Sequence, residues 1–163
     1  MHSIFAFDPD SITPRDLSVL LDNARALLLS AAAGERRTLL RGRQLGLLCE
    51  SDAEGDAALL RQAAVDMGAQ VAHIRPSLMA LGTPLEIQRT ARMLGRLYDA
   101  VACEGLASAL VQQLAADAGV PVLDGLASAQ HSTAKLVDLM GGEASAGDKR
   151  RAVLQAVLLG SIA

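Results

Sequence analysis

Residues 45–68, LGLLCESDAEGDAALLRQAAVDMG, constrain this chain more than any other stretch. Residues 45–49 form a short apolar run that reads as a strand. Residues 50–56 form a polar turn, and residues 57–67 an amphipathic helix closed by Gly68. A strand that feeds a helix through a tight turn is the first half of a βαβ unit. In open α/β sheets, ligands sit beyond the carboxyl ends of such strands, over the helix N-termini. That place normally suits an anion, because the first-turn amides and the helix dipole carry positive potential. Here the turn holds Glu50, Asp52, Glu54 and Asp56, without a Lys or Arg. The position suits a phosphate and the charge opposes one.

The rest of the chain is consistent with one domain. Its 163 residues suffice for a real core, and 51% hydrophobic residues with a mean hydropathy of +0.29 exclude disorder. No apolar run approaches the ~20 residues of a membrane span. The start, MHSIFAFDPD, lacks a basic region followed by a long apolar core, so no secretory signal is expected. Two cysteines without such a signal imply a reducing, cytoplasmic setting. A net charge of −3 leaves no electrostatic footprint for nucleic acid. With Phe5, Phe7 and Tyr98 as the aromatics, base-stacking platforms are not expected either.

Taken in order, residues 1–11 read as an irregular arm with Phe5 and Phe7 as anchors. Thr13, Pro14 and Asp16 then supply an N-cap hydroxyl, a first-turn proline and a first-turn acid. Leu17, Leu20, Leu21, Ala24, Leu27, Leu28 and Ala31 continue that helix with a 3.6-residue period, and Gly34 ends it. Residues 35–43 read as a solvated basic connector. After the central strand and helix, residues 70–74 form a second strand, and residues 77–82 a loop with Leu78, Met79 and Leu81. Thr83, Pro84 and Glu86 repeat the capping pattern and open a helix reaching Tyr98. Residues 99–103 make a third strand, the helix marked by Leu106 to Ala118 follows, and residues 120–123 make a fourth strand with Pro121 at its start or on an edge. Residues 131–140 read as a further helix, 141–147 as a flexible joint, and 148–159 as a last helix that is almost uniformly apolar after its basic start. Such a helix needs cover from its own domain or from a neighbour. Lys149, Arg150 and Arg151 oppose the helix dipole and call for acidic partners. The alternation predicts an α/β fold: a three-layer sandwich with a four-stranded parallel sheet between helices.

Residues 13–140 resemble the N-terminal, carbamoyl-phosphate-binding domain of aspartate and ornithine carbamoyltransferases. The likeness is carried by SITPRDLSVLLDNARALL, LLRGRQLGLLCE, DMGAQVAHI, LGTPLEIQRTARMLGRLYDAVAC and AGVPVLDGLASAQHSTAKLVDLM, in the family's order. The functional positions depart from it. Where the family's phosphate loop reads Ser-Thr-Arg-Thr-Arg, this chain has Ala53, Glu54, Gly55, Asp56 and Ala57. Glu104 stands where the family has an arginine at a strand exit, and the His-Pro-x-Gln motif survives as His131 alone. The loop that sends a basic arm into a neighbouring site in the aspartate enzymes is here the apolar SLMALG. The family's second, amino-acid-binding domain has no room in the chain.

Carbamoyl phosphate is a dianion whose transfer needs arginines or a helix N-terminus to hold its charge. Asp52, Glu54, Asp56, Glu104 and Asp124 all fall near the carboxyl edge of the expected sheet. The favoured reading is a disused loop whose acids complement the helix dipole. A site for a cationic ligand or divalent metal is the competing reading, although the DAEGD alternation lacks the remaining ligands of a calcium loop. His131 reads as a structural hydrogen-bonding residue before a catalyst, and His2 and His73 have no evident partners in the sequence. Cys49 and Cys103 close the first and third strands, which a sheet could set side by side, and read as buried free thiols before a redox pair. No metal and no cofactor are expected. The expectation for function is a carbamoyltransferase-like domain without catalysis that serves binding or assembly; the alternative is a carbamoyltransferase subunit completed by a partner chain. A homodimer or homotrimer is expected, with the 77–82 loop and the last helix as association surfaces.

Overall fold

Four parallel strands in the order β2-β1-β3-β4 carry the molecule, shown here by a computed structural model that describes residues 12–162. The arm with Phe5 and Phe7 lies outside the described residues. The strands are β1 (Gln44–Leu48), β2 (Gln70–Ile74), β3 (Ala100–Cys103) and β4 (Val122–Asp124). The helices are α1 (Pro14–Ala32), α2 (Gly55–Asp66), α3 (Pro84–Leu97), α4 (Ser108–Ala118), α5 (Leu136–Met140) and α6 (Ala146–Ile162). β1 pairs with β2 from Gln44↔Gln70 to Leu48↔Ile74, and with β3 from Leu45↔Ala100 to Leu48↔Cys103. Pro121 precedes the edge strand β4, where its missing N–H breaks no ladder.

The two expected caps form. The Thr13 hydroxyl accepts the Asp16 amide at 3.1 Å, and the Thr83 hydroxyl accepts the Glu86 amide at 3.2 Å. Strand residues alternate between two cores, as a period of two requires. Leu45, Leu47, Ala100, Ala102 and Leu123 face α1, α2, α5 and α6; Leu48, Val101, Cys103 and Val122 face α3 and α4. Two glycines set close approaches. A Cβ on Gly46 would come within 2.9 Å of the Tyr98 ring, and one on Gly95 within 1.7 Å of the Ala118 carbonyl oxygen. The second distance shows that α3 and α4 touch backbone to backbone.

Several expectations need correction. The last helix starts at Ala146, so the joint is shorter than 141–147. The apolar run of this helix is covered by its own chain: Ala152 to Leu158 and Ile162 are buried against α1, α2 and α5. It lacks an amphipathic stripe because it has neighbours on several sides. Residues 131–140 form no continuous helix. A 3-10 turn, Ser132–Lys135, precedes the short α5. In the 77–82 stretch, a 3-10 turn (Pro76–Leu78) leaves Leu78 77% exposed, while Met79 and Leu81 pack on the α3–α4 core. The basic connector carries one fully buried residue, Leu40. No described helix is long and apolar enough to cross a membrane.

Candidate functional site

The strand order reverses direction between β1 and β3, and in an open parallel sheet this switch point opens a crevice beyond the carboxyl ends. A cleft of about 350 Å³ lies there. The exit of β1 supplies Cys49, Glu50 and Ser51 to it, and the exit of β3 supplies Glu104, Gly105 and Leu106. The entry to α2 supplies Glu54, Asp56 and Ala57. Four carboxylates line the cleft, with neither a Lys nor an Arg.

These acids differ in environment. Glu50 accepts the Ser77 amide and hydroxyl, each at 2.8 Å, and stands 3.7 Å from Arg75. Those bonds from Ser77, with Arg75 behind them, hold its carboxyl below the usual range. Glu54 occupies the N-cap of α2 yet makes no capping bond, and Asp56 follows in the first turn; both are exposed and neither forms an ion pair among the described residues. Glu104 is buried at 7% exposure and accepts the Ala127 amide at 3.1 Å. Burial pushes its carboxyl up to about 7, against the lowering effect of that bond, and Asp56 and Asp124 push the same way as burial.

The other two sequence candidates stand outside the lining. Asp52 lies 3.4 Å from Arg61 Nε and 3.6 Å from His73 Nδ1. His73 therefore has partners that the sequence did not reveal, since its Nε2 also donates to the Cys49 carbonyl at 2.7 Å. Asp124 is paired in register with Cys103, and the two cysteines face opposite cores. That placement favours free thiols over a redox pair. Burial raises Cys49 to about 11 and Cys103 to about 12, with nearby carboxylates adding to the effect. Among the described residues, no three His, Cys, Asp or Glu side chains gather closely enough to hold a metal ion.

His131 turns its ring onto the chain that follows it. Nδ1 accepts the Thr133 amide at 3.1 Å and lies 2.9 Å from the Thr133 hydroxyl. Burial, assisted by Arg150, holds its pKa below the ordinary value. Arg150 is the residue that sequence reasoning placed least well. It reaches from α6 to the Thr133 hydroxyl at 2.7 Å, the Leu126 carbonyl at 2.6 Å and the Ser128 carbonyl at 3.2 Å. Its direct partners are carbonyl and hydroxyl oxygens, and Lys149 likewise donates to the Gly142 carbonyl at 3.1 Å. Of the three basic residues, Arg151 alone pairs with an acid, Asp148 in its own helix, at 3.3 Å. The basic start of the last helix was the available signal; its target required the fold.

The model of the aspartate/ornithine carbamoyltransferase carbamoyl-phosphate-binding domain matches residues 6–142. The chain belongs to this family. The ornithine carbamoyltransferase of Haemophilus influenzae strain PittGG is 37% identical over 128 residues, 78% of this chain and 38% of that protein. The chain thus spans less than two-fifths of the length of such curated relatives. Ornithine carbamoyltransferase from Pyrococcus furiosus superposes with a TM-score of 0.67 at 25% identity, covering 78% of this chain and 41% of that one. Aspartate transcarbamoylase from Trypanosoma cruzi in complex with carbamoyl phosphate shares the fold, with a TM-score of 0.65 at 21% identity over 80% of this chain and 43% of its own. Within this carbamoyltransferase domain, α6 and Arg150 lie beyond the matched stretch.

Proposed function

We propose that this chain is a carbamoyltransferase domain that does not transfer carbamoyl groups by itself and serves binding or assembly in a reducing cytoplasm, as a homodimer or homotrimer. The observation that carries the reading is the switch-point cleft, with Glu50, Glu54, Asp56 and Glu104 around it and no cation in its lining. A dianionic phosphate there would meet repulsion on the order of a few kcal/mol, and no bidentate donor would offset it. The α2 dipole favours an anion by about 1 kcal/mol at most in so open a site, so the carboxylates win. Glu104 adds to the repulsion as it ionises.

A second reading, a carbamoyltransferase subunit completed by a partner chain, draws support from the retained scaffold and from Arg150, which couples electrostatically to Glu104 and Asp56. Calorimetry with carbamoyl phosphate and with inorganic phosphate tests the first reading. The parent should show no binding. The variant carrying Glu54→Thr, Gly55→Arg, Asp56→Thr and Ala57→Arg should gain affinity, more so with Glu104→Arg. Tight binding by the parent, or carbamoyl transfer to aspartate or ornithine above the uncatalysed rate, overturns the proposal. Turnover that requires an added carbamoyltransferase chain establishes the second reading instead.

A further inference from the structure

A second cavity, of about 200 Å³, lies at the opposite edge of the sheet from the switch-point cleft. The last turns of α1, the connector into β1 and the end of α2 surround it, and α6 closes it. Leu27, Ala31 and Met67 make its apolar wall. Gln155 from α6 makes a polar one. This side chain is buried at 8% exposure, and its Nε2 donates to the Ala63 carbonyl at 3.2 Å. Its Oε1 accepts no hydrogen bond among the described residues and is not sealed from solvent, so it opens to the cavity that Gln155 lines. A largely buried amide oxygen without a donor is costly, and a ligand N–H there removes the cost.

Both signs of charge stand around this cavity. Arg36 lies 3.9 Å from Asp66, at the limit of an ion pair, and Arg151 lies 3.3 Å from Asp148. Glu35 and Arg37, also in the lining, are exposed and form no ion pair among the described residues. An inorganic anion would suit the arginines and be opposed by Glu35 and Asp66; a simple cation would meet the reverse. A zwitterion satisfies both signs. The volume falls below the ~300–1,000 Å³ of sites for drug-sized ligands, which excludes a nucleotide, and the apolar wall suits a short hydrocarbon chain. We propose that this cavity binds a small aliphatic α-amino acid, with its carboxylate on Arg37 and Arg151, its ammonium on Gln155 Oε1, and its side chain against Leu27 and Met67. Gln155 and Arg151 belong to α6, beyond the stretch that matches the family, so the site is separate from the switch-point cleft. It does not depend on whether that cleft takes phosphate.

An NMR titration of the full, 15N-labelled chain with leucine and with valine tests the site. Saturable amide shifts with a Kd of about 1 mM are expected, centred on residues 30–37, 66–67 and 151–155, while residues 104–106 stay still. Two analogues separate the charges: 4-methylpentanoate lacks the ammonium and 3-methylbutylamine lacks the carboxylate. Each should bind about tenfold more weakly than leucine, and so should leucine to Arg37→Gln or to Gln155→Met. Leucine should also raise the melting temperature of the parent in a concentration-dependent way, since it bridges α6 to α1 and α2. Circular dichroism checks the fold; if Gln155→Met has lost helix, the exposed Arg37→Gln is read alone. Absence of saturable shifts with both amino acids up to about 20 mM overturns the proposal. So do shifts centred on residues 104–106, an analogue that binds as tightly as leucine, or an unchanged affinity in Arg37→Gln.

Discussion

Glu104 accepts the backbone N–H of Ala127 at 3.1 Å, tying the exit of β3 to the loop that leaves β4. Arg150 holds the same loop from the other side through the Leu126 and Ser128 carbonyls. The cleft wall is therefore fixed by a carboxyl group that burial keeps half-protonated near neutrality and by a guanidinium from the last helix.

Glu104 should make stability fall as pH rises. Its ordinary value is 4.5 and its folded value about 7, so the folded chain keeps a proton that the unfolded chain releases between those limits. The stability it favours is present below about 4.5 and lost as pH rises through about 7. Glu104→Gln keeps the acceptor for Ala127 and removes the ionisation. Denaturation at pH 8 should find this variant more stable by on the order of 2 kcal/mol, with a difference that vanishes near pH 4. His131 works in the opposite sense, losing stability as pH falls below 6.5, and it is common to both proteins. A variant no more stable than its parent at pH 8 would refute the assignment.

Gly95→Ala should be among the costliest single-methyl additions. The new carbon would stand 1.7 Å from the Ala118 carbonyl oxygen, so α3 and α4 must separate. A loss of about 3 kcal/mol is expected in urea unfolding. Gly160→Ala meets nothing within 4 Å inside α6 and should be neutral or stabilising by up to about 1 kcal/mol. Equal effects would mean that the helices are less closely packed than described.

Removal of α6 should uncover the first core. Residues Ala152 to Leu158 are buried, and Gln155 also donates to the Ala63 carbonyl at 3.2 Å. A chain ending after residue 145 should aggregate or bind a hydrophobic dye. Arg150→Met keeps the helix and loses three hydrogen bonds; a cost of about 2 kcal/mol is expected, with faster hydrogen exchange confined to residues 126–133. A truncated chain as stable as its parent would show α6 to be dispensable.

Both thiols should be inert in the folded protein. Cys49 and Cys103 are 3% and 0% exposed, and their raised pKa values keep the thiolate scarce at pH 8. Iodoacetamide should label neither in native buffer and both in guanidinium chloride, counted by mass spectrometry. Rapid labelling of native Cys49 would show that the cleft opens further than described.

What the sequence determined by itself is local. The Thr13 and Thr83 caps join residues three apart, and the strand and helix periods need only their own side chains, so the order of elements and the parallel sheet were legible in it. The acid content of the α2 entry was legible too, because it is a property of consecutive residues. The tertiary structure decided which acids share a space. The β2-β1-β3-β4 order brings Glu104 to Glu50, Glu54 and Asp56, but leaves Asp52 with Arg61 and His73, and Asp124 outside the lining. It also turned Cys49 and Cys103 to opposite faces, buried α6 in its own domain, and carried Arg150 to carbonyls more than twenty residues away in the chain. Such pairings depend on how the elements are laid against one another, and burial sets the charge of Glu104 only once that packing exists.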